Sequence, residues 1–513
     1  MIMKRTLLKP MMSNGPFSLK LHQNEQNSFK IVFGLISVVG LLVVVITHFM
    51  EPSTIIFSED EVVSSSSQDK DDPQTGRGKV SEMDSNRRCH DSCNFQLVES
   101  LPCDMPYEPH SGAAKPLSQA WMELLNRTQE SIHVASYYWT LTGKDLGIND
   151  TSSKQGEDVL RKFESLLQEN ISVFIATSMP SPANNSTDLA ILEGKGAHIK
   201  WINFGQLTHG VLHTKFWIVD RKHIFLGSAN MDWRALTQMK EVGLVISNCS
   251  CLADDLWKTF KTYWDLGEPN ATIPSPWPSN YSTEINRQNP VEVQFNRTAI
   301  KVYFSASPSS FCPEGRTNDL AAVLDLIYGA EEFVYVSLME YFPTSRFRQP
   351  PRYWPPIDNA LRSVAFSRNI HIRLLISCWI HTDPSMFHYL ESLSALNDPP
   401  ANITIEVKIF IVPVGNHTNI PFARLSHSKY MVTNNAAYIG TSNWSEEYFS
   451  TTAGVGLIAK QSSTDPTKRN LIQEQLKSLF ERDWNSKYSI NMEDLPGQKD
   501  CAWEDGFKSF RKS

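Results

Sequence analysis

The strongest constraint on the fold is that the chain repeats one order of helix and strand patterns. Residues 117–141 show helical spacing of apolar residues and then a β-branched strand at Ser131–Tyr138; residues 317–342 repeat this, with a strand at Phe333–Met339. A second helix and strand and then further strands follow in each half. Strands alternating with helices of about ten to fifteen residues are typical of α/β sheets with helices on both faces. The sequence predicts a duplicated α/β domain: two mixed sheets flanked by helices, related by a pseudo-two-fold axis and sharing one active site.

Length and composition fit two lobes. The 513 residues are enough for two hydrophobic cores, and the hydrophobic fraction of 41% is that of a globular protein. Pro and turn residues between positions 270 and 300 mark a boundary, so we assign residues 89–285 to a first lobe and 286–513 to a second. The formal net charge of −7 argues against a broadly basic nucleic-acid coat but leaves room for a local basic pocket.

The first part of the chain has a different composition. Ile31–Met50 contains no Asp, Glu, Lys or Arg, and twenty helical residues span about 30 Å, one bilayer core. Basic residues precede this segment and acidic residues follow it, which predicts a cytosolic tail at 1–30, a transmembrane anchor at 31–50 and a lumenal body. A cleaved signal peptide is the alternative interpretation. The polar residues 51–88 are predicted to form an unfolded stalk.

Cysteines and glycosylation motifs agree with a lumenal body. All eight cysteines follow the apolar segment, and secretory compartments favour disulfides. A zinc site at Cys89, Cys93, Cys249 and Cys251 is the alternative, but its spacing is poor, so no metal is predicted. Asn-x-Ser/Thr motifs, which predict surface glycosylation, include those at Asn126, Asn149, Asn170, Asn270, Asn296, Asn402 and Asn416.

A His-x-Lys motif ahead of a hydrophobic strand occurs once in each half. His213 and Lys215 form the first pair, and His427 and Lys429 form the second. Because side chains alternate along a strand, each His and Lys should emerge on the same face, where the lysine lowers the imidazole pKa. A single pair of this kind usually consists of solvent-exposed residues without a functional role. Two pairs in equivalent places of a duplicated fold can meet in one cleft.

Metal-independent phosphoryl transfer is the chemistry that such a cleft suits. One histidine would attack phosphorus and form a phosphohistidine. The other would protonate the leaving oxygen and then activate water or an alcohol. The two lysines, with Asn230 and Asn443, would hold the non-bridging oxygens. No cofactor is required.

The two motifs resemble the signature of the phospholipase D superfamily, in which His-x-Lys-x4-Asp is followed by Gly-Ser-x-Asn. The first copy matches at His213, Lys215, Asp220, Gly227, Ser228 and Asn230. The resemblance implies a catalytic set of His213, Lys215, Asp220, His427 and Lys429. The whole sequence of residues 89–513 resembles the lysosomal members 3 and 4 of that family.

This resemblance implies a 5′ exonuclease that acts on single-stranded DNA and RNA at acid pH. It also implies a single-pass type II protein of endolysosomal and endoplasmic reticulum or Golgi membranes, with a possible homodimer and a soluble form released by cleavage in the stalk. Phospholipid headgroup exchange is a further activity that the resemblance implies.

The second copy departs from the signature. Asn434 stands at the carboxylate position, and Gly440-Thr441-Ser442-Asn443 replaces Gly-Ser-x-Asn. Asp220 and Asn434 are predicted to hold the loop that follows each strand. Glu241 comes 28 residues after His213, and the superfamily pattern implies that an acid there orients the first histidine. Thr451 and Thr452 stand at the matching place of the second half. This asymmetry favours His213 as the better-oriented base or nucleophile, although sequence alone does not assign the two histidines.

The resemblance also implies a disulfide pattern. Cys89 and Cys93 would pair with Cys249 and Cys251, and Cys378 with Cys501. By elimination, Cys103 would pair with Cys312.

Three functions remain open at this stage: an exonuclease, an enzyme of phospholipid headgroup exchange, and a non-enzymatic anchored binding protein with a degenerate second half. The retained His427 and Lys429 argue against the last. Aromatic residues after the core strands, such as Trp139, Tyr341 and Trp379, can stack on bases or pack in the core.

Overall fold

A computed structural model describes residues 89, 91–102, 104–107, 114–183, 186–295, 298–461 and 472–503. The predicted cytosolic tail, the anchor at Ile31–Met50 and the stalk therefore lie outside the described residues. Within the described ranges, no helix is both long and apolar enough to cross a bilayer.

Among the described residues of the first half there are ten strands and six helices. The strands are β1 Asn94–Ser100, β2 Lys115–Pro116, β3 Ser131–Ser136, β4 Trp139–Thr140, β5 Ser172–Met179, β6 His198–Asn203, β7 Phe216–Val219, β8 His223–Gly227, β9 Met231–Asp232 and β10 Glu241–Ser247. The helices are α1 Leu117–Arg127, α2 Lys154–Gln168, α3 Thr187–Gly194, α4 Phe204–Leu207, α5 Trp233–Thr237 and α6 Ser250–Asp265.

The second half continues the same numbering. Its strands are β11 Val291–Phe295, β12 Thr298–Ser307, β13 Thr317–Asn318, β14 Phe333–Leu338, β15 His371–Cys378, β16 Ile405–Ile411, β17 Lys429–Thr433, β18 Ala436–Gly440, β19 Gly454–Gln461 and β20 Ser489–Asn491. Its helices are α7 Asp319–Gly329, α8 Pro356–Arg368, α9 Met386–Ser394, α10 Glu446–Ser450 and α11 Ile472–Trp484.

The two large sheets have matching strand orders. The first runs β2-β1-β10-β8-β7-β3-β5-β6, and the second runs β11-β12-β19-β18-β17-β14-β15-β16-β20, with β13 beside β12. In each sheet three neighbouring strands are parallel (β3, β5 and β6; β14, β15 and β16). The other pairings are antiparallel, except for the short parallel pairs β1–β2 and β12–β13. The prediction of mixed sheets flanked by helices is therefore confirmed.

One hydrophobic core joins the two halves. Alternate residues of β7, such as Phe216 and Ile218, pack in the same cluster as Tyr430 and Val432 of β17. Trp217 and Val219 point the other way, into a cluster covered by α1 and α2. A third cluster lies between the second sheet and α7, α8 and α9. Because both faces of β7 are buried, its sequence is apolar throughout rather than alternating.

Both strands that lead toward the site end slightly earlier than predicted. β3 ends at Ser136 and β14 ends at Leu338, so Tyr137 and Tyr138 leave the first sheet, as Met339 and Glu340 leave the second. Of these residues, Tyr137 lies beside His213 and Glu340 acts electrostatically on Lys429.

Candidate active site

The two His-x-Lys motifs meet where the halves of the molecule touch. Each motif lies at the start of its strand and is held by main chain from the other half. The amide of His213 donates to the carbonyl of Ala453 (3.0 Å), and the amide of His427 donates to the carbonyl of Lys240 (2.8 Å). Single parallel bridges, Leu212 to Ala453 and Ser426 to Lys240, extend both contacts. The cleft therefore depends on packing between the halves.

The imidazoles have different partners at Nδ1. Nδ1 of His427 lies 3.0 and 3.1 Å from the two carboxylate oxygens of Glu241, whereas Nδ1 of His213 lies 3.0 Å from the carbonyl oxygen of Thr441. A carbonyl oxygen can only accept, so His213 carries its proton on Nδ1 and presents the Nε2 lone pair. The carboxylate fixes His427 in the same orientation.

The prediction that Glu241 orients His213 is wrong: Glu241 lies beside His427, in the other half of the chain. Glu241 opens β10, and this end of β10 borders the second motif, since the preceding residue, Lys240, pairs with Ser426. Spacing along the sequence could not reveal which half the side chain faces.

Both lysines are buried, and the charge of Lys429 acts on Lys215. Each ammonium donates to the carbonyl oxygen of its own histidine, at 2.8 Å for Lys429 with His427 and by a short bond for Lys215 with His213. Burial lowers the pKa of Lys429 to about 7, although Glu241 and Glu340 oppose that shift. Burial, and then the charge of Lys429, lowers the pKa of Lys215 well below its usual value. A phosphodiester anion between them would favour both ammonium forms.

The histidine pKa values are lowered to different degrees. Burial lowers the pKa of His213 well below its usual value, and the charges of Lys215 and Lys429 lower it further. Burial also lowers the pKa of His427, but the Glu241 carboxylate opposes this shift. Of the two, His427 is the one whose surroundings favour a proton.

Asp220 and Asn434 hold loops rather than face the cleft. The carboxylate of Asp220 accepts from the amides of Gln129, Glu130 and Ser131, each at 2.9 Å. The prediction of a catalytic Asp220 is therefore wrong. So is the prediction that it holds the loop that follows, because the loop it binds leads into β3.

Asn434 accepts equivalent main-chain hydrogen bonds in the second half. Its Oδ1 accepts from the amides of Glu331 and Glu332, at 3.0 and 3.3 Å, just ahead of β14. An amide oxygen can replace a carboxylate oxygen as this acceptor, which explains physically how the second motif tolerates Asn.

The Gly-Ser-x-Asn segments are aligned by their hydrogen bonds. Ser228 Oγ accepts from the amide of Val242 at 3.0 Å, and Thr441 Oγ1 accepts from the amide of Val455 at 3.0 Å. Thr441 is thus the counterpart of Ser228, and the predicted Ser442 takes the place of Ala229. The Oδ1 atoms of Asn230 and Asn443 and the Oγ of Ser442 are buried without a hydrogen-bond partner among the described residues. These three oxygens are free to accept hydrogen bonds from a substrate.

Three residues that no sequence motif marked enclose the histidines. The Tyr137 ring lies 5.0 Å from the His213 ring, and the Tyr448 ring lies 5.1 Å from it. The Tyr448 hydroxyl accepts from Asn443 Nδ2 at 3.2 Å. Glu340, whose pKa is raised by burial, acts electrostatically on Lys429. Their position directly after a core strand or the second motif was the available signal.

Known proteins decide the family of a chain with this site. Residues 112–415 match the family described as "PLD3/4, PLD-like domain". Human "5'-3' exonuclease PLD4" is 57% identical over 419 residues, 82% of this chain and 83% of that protein. The "5'-3' exonuclease PLD3" of Xenopus laevis is 48% identical over 414 residues (80% of this chain, 84% of that protein), and human PLD3 is 46% identical over 406 residues (79% and 82%).

The chain belongs to the PLD3/4 family. The family match ends at residue 415, before His427, so it is the structure that brings the second motif of this PLD3/4 protein to the first. As the resemblance implied, disulfides join Cys89 to Cys251, Cys93 to Cys249 and Cys378 to Cys501. The four sulfurs of the alternative zinc site are those of the first two bonds. Cys103 lies outside the described residues, so its pairing with Cys312 stays a prediction.

Six of the seven sequons named above lie in the described residues of this PLD3/4 protein, and all six are on the surface. Asn126, Asn149, Asn170, Asn270, Asn402 and Asn416 are all exposed. Asn296 lies outside the described residues. Of the aromatic residues considered for base stacking, Trp139 and Tyr341 are buried core residues, whereas Trp379 is partly exposed.

Proposed function

We propose that this PLD3/4 protein is a 5′ to 3′ exonuclease that hydrolyses phosphodiesters of single-stranded DNA and RNA without a metal. The observation that carries the proposal is the pair of buried histidines, each fixed through Nδ1, with two buried lysines in one cleft. Relatives that are 46–57% identical over about four fifths of the chain carry the name 5'-3' exonuclease.

The first step uses the difference between the histidines. His213 attacks phosphorus through Nε2, forming a P–N bond, while the bond from phosphorus to the leaving oxygen breaks. His427 gives that oxygen a proton. This assignment follows from the pKa directions: the neutral imidazole supplies the lone pair, and the imidazole beside Glu241 supplies the proton.

The rest of the cleft stabilises the charge on phosphorus. Lys215 and Lys429 neutralise the non-bridging oxygens, and Asn230 and Asn443 supply amide donors in a buried environment, where such contacts are strong. In the second step neutral His427 takes a proton from water, the water oxygen bonds to phosphorus, and the P–N bond breaks. If a lipid alcohol replaces water, the same intermediate gives headgroup exchange; this is the second candidate activity, and exposed Phe347 and Phe422 near the site favour testing it.

An acid pH optimum follows from this scheme. His427 must be protonated, and its pKa lies below the usual value, so the rate rises as pH falls toward that pKa. His213 has the lower pKa and stays neutral over the same range. The optimum therefore falls between the two pKa values.

We further propose the setting that the sequence predicts. The matching strand orders of the two sheets support a duplicated PLD-like domain with lobes at 89–285 and 286–513. The apolar segment 31–50, the disulfides and the exposed sequons support a type II anchor and a glycosylated body in the endolysosomal lumen. A homodimer and release by cleavage in the stalk belong to the same proposal.

The test uses the purified body, residues 89–513, in the presence of EDTA. Single-stranded oligonucleotides labelled at the 3′ end, with free or blocked 5′ ends, are supplied beside a His213→Ala control. Stepwise shortening that needs a free 5′ end and is lost in the variant supports the exonuclease. Cleavage of phosphatidylglycerol without cleavage of oligonucleotides would move the assignment to the lipid activity.

A further inference from the structure

An aromatic cluster stands on the surface beside the catalytic cleft. Trp379 and His381 follow β15, and Phe422 lies in the loop that leads to His427. The Trp379 and His381 ring centroids are 4.7 Å apart, those of His381 and Phe422 are 5.1 Å apart, and those of Trp379 and Phe422 are 6.3 Å apart. Phe422 is 59% exposed.

The cluster is continuous with the active site. The amide of Ser426, the neighbour of His427, donates to Ser377 Oγ at 3.0 Å. Trp379 comes two residues after Ser377, so its Cα lies within about 8 Å of that contact. The cluster therefore lies at the end of β15 that contacts the segment leading to His427.

The loop bearing Phe422 is fixed in a strained shape. Phe422 has φ of +51° and Arg424 has φ of +61°, a region that bulky residues rarely occupy. Arg234 binds the carbonyl of Pro421 at 2.6 Å, and Arg424 binds the carbonyl of Pro413 at 2.7 Å. Such strain persists only where the surroundings impose it.

The same loop buries its other apolar side chains. Ile420 and Ala423, on either side of Phe422, pack in a buried cluster with Trp233 of the first half. Phe422 could therefore have packed in the same buried cluster. Instead, the backbone directs its ring outward, against His381. This geometry keeps an aromatic face in solvent next to the cleft.

We propose that Trp379, His381 and Phe422 form a stacking platform for a base of the single-stranded substrate. The proposal rests on the proposed exonuclease function and adds where the uncleaved part of the strand is held. Aromatic faces stack on any base, which suits an enzyme that shortens strands of varied sequence. A lipid surface is the competing occupant, and the test separates the two.

The experiment compares Phe422→Ala, Phe422→Tyr and Phe366→Ala in the 89–513 body. Phe366 is a matched control, since it is 51% exposed but lies near the end of α8 that leads into β15, at the edge opposite the cleft. With single-stranded oligonucleotides, Phe422→Ala should raise KM about tenfold, with a smaller effect on kcat, because one stacked base is lost. Phe422→Tyr should restore KM, and Phe366→Ala should match the wild type.

Oligonucleotides with one abasic position then locate the contact. For the wild type, KM should rise when one particular position near the 5′ end lacks its base, and Phe422→Ala should lose that sensitivity. Equal KM values for Phe422→Ala and Phe366→Ala would overturn the platform, as would loss of binding to phosphatidylglycerol vesicles with unchanged oligonucleotide KM. If the wild type shortens no oligonucleotide, the proposed function fails, and the platform fails with it.

Discussion

Replacing Glu241 by Gln tests whether His427 is the acid and His213 the nucleophile. The carboxylate lies 3.0 Å from Nδ1 of His427 and opposes the lowering of its pKa by burial. An opposite charge at this range raises a histidine pKa, and the glutamine side chain removes that charge. We therefore expect the pKa of His427 to fall further in Glu241→Gln.

The expected loss of rate follows from the protonated fraction. Above its pKa, any fall in the pKa of His427 lowers the protonated fraction, so kcat/KM on oligonucleotides at acid pH should fall by about 10-fold or more. The optimum should move to lower pH. Nucleotide p-nitrophenyl esters need no proton on the leaving oxygen and should lose much less.

The assay is a pH profile of kcat/KM for both substrates. Glu241→Asp is the control: it keeps the charge, so its profile should keep the wild-type position to within about one unit. An unmoved profile in Glu241→Gln, or equal losses on both substrates, would refute the view that Glu241 acts through the proton of His427.

Further predictions concern loops, ion pairs and burial. Asp220→Asn should keep activity, because Asn434 already accepts the equivalent main-chain hydrogen bonds in the second half. Chemical denaturation should show a free energy of unfolding lowered by about 1 kcal/mol. A loss of activity as large as that of His213→Ala would restore a catalytic role to Asp220. Asp483→Asn removes the nearer of two buried counter-charges of Lys240, at 2.8 Å, and leaves Glu99 at 4.0 Å. Thermal unfolding should therefore show a loss of about 3 kcal/mol, and an unchanged melting temperature would contradict this. Burial raises the pKa of Asp319 to about 6, from a usual value of 3.8, so its contribution to stability is present at acid pH and is lost as pH rises through 6. Asp319→Asn, which resembles the protonated form, should therefore gain about 1 kcal/mol relative to the wild type between about pH 5 and pH 7, and a difference independent of pH would exclude this titration.

The sequence predicted what depends on short motifs and local periodicity. Both His-x-Lys pairs and the mixed sheets could be predicted because residue type and chain order were sufficient, whereas the Cys378–Cys501 bond was implied by the family resemblance. The partner of Glu241 could not, since it depends on how two halves pack across nearly two hundred residues. The platform residue Trp379 differs from the buried Trp139 only in tertiary packing.

A one-residue difference in a hairpin explains the misalignment at Ser442. The β7–β8 turn has three residues, with Asp220 and Arg221 at positive φ, whereas the β17–β18 turn has two. Everything after the second turn is therefore displaced by one position relative to its histidine. This displacement aligns Thr441, and not Ser442, with Ser228.

The central claim is a covalent intermediate on His213 with His427 as the acid. The most direct measurement treats His427→Ala, in EDTA, with a nucleotide p-nitrophenyl ester, stops the reaction in alkali and maps the modified peptide by mass spectrometry. The account predicts release of p-nitrophenol and a nucleotidyl phosphate on His213, because this leaving group needs no acid and the missing base slows hydrolysis of the intermediate. An adduct on His427 in His213→Ala, with none on His213 in His427→Ala, would contradict it.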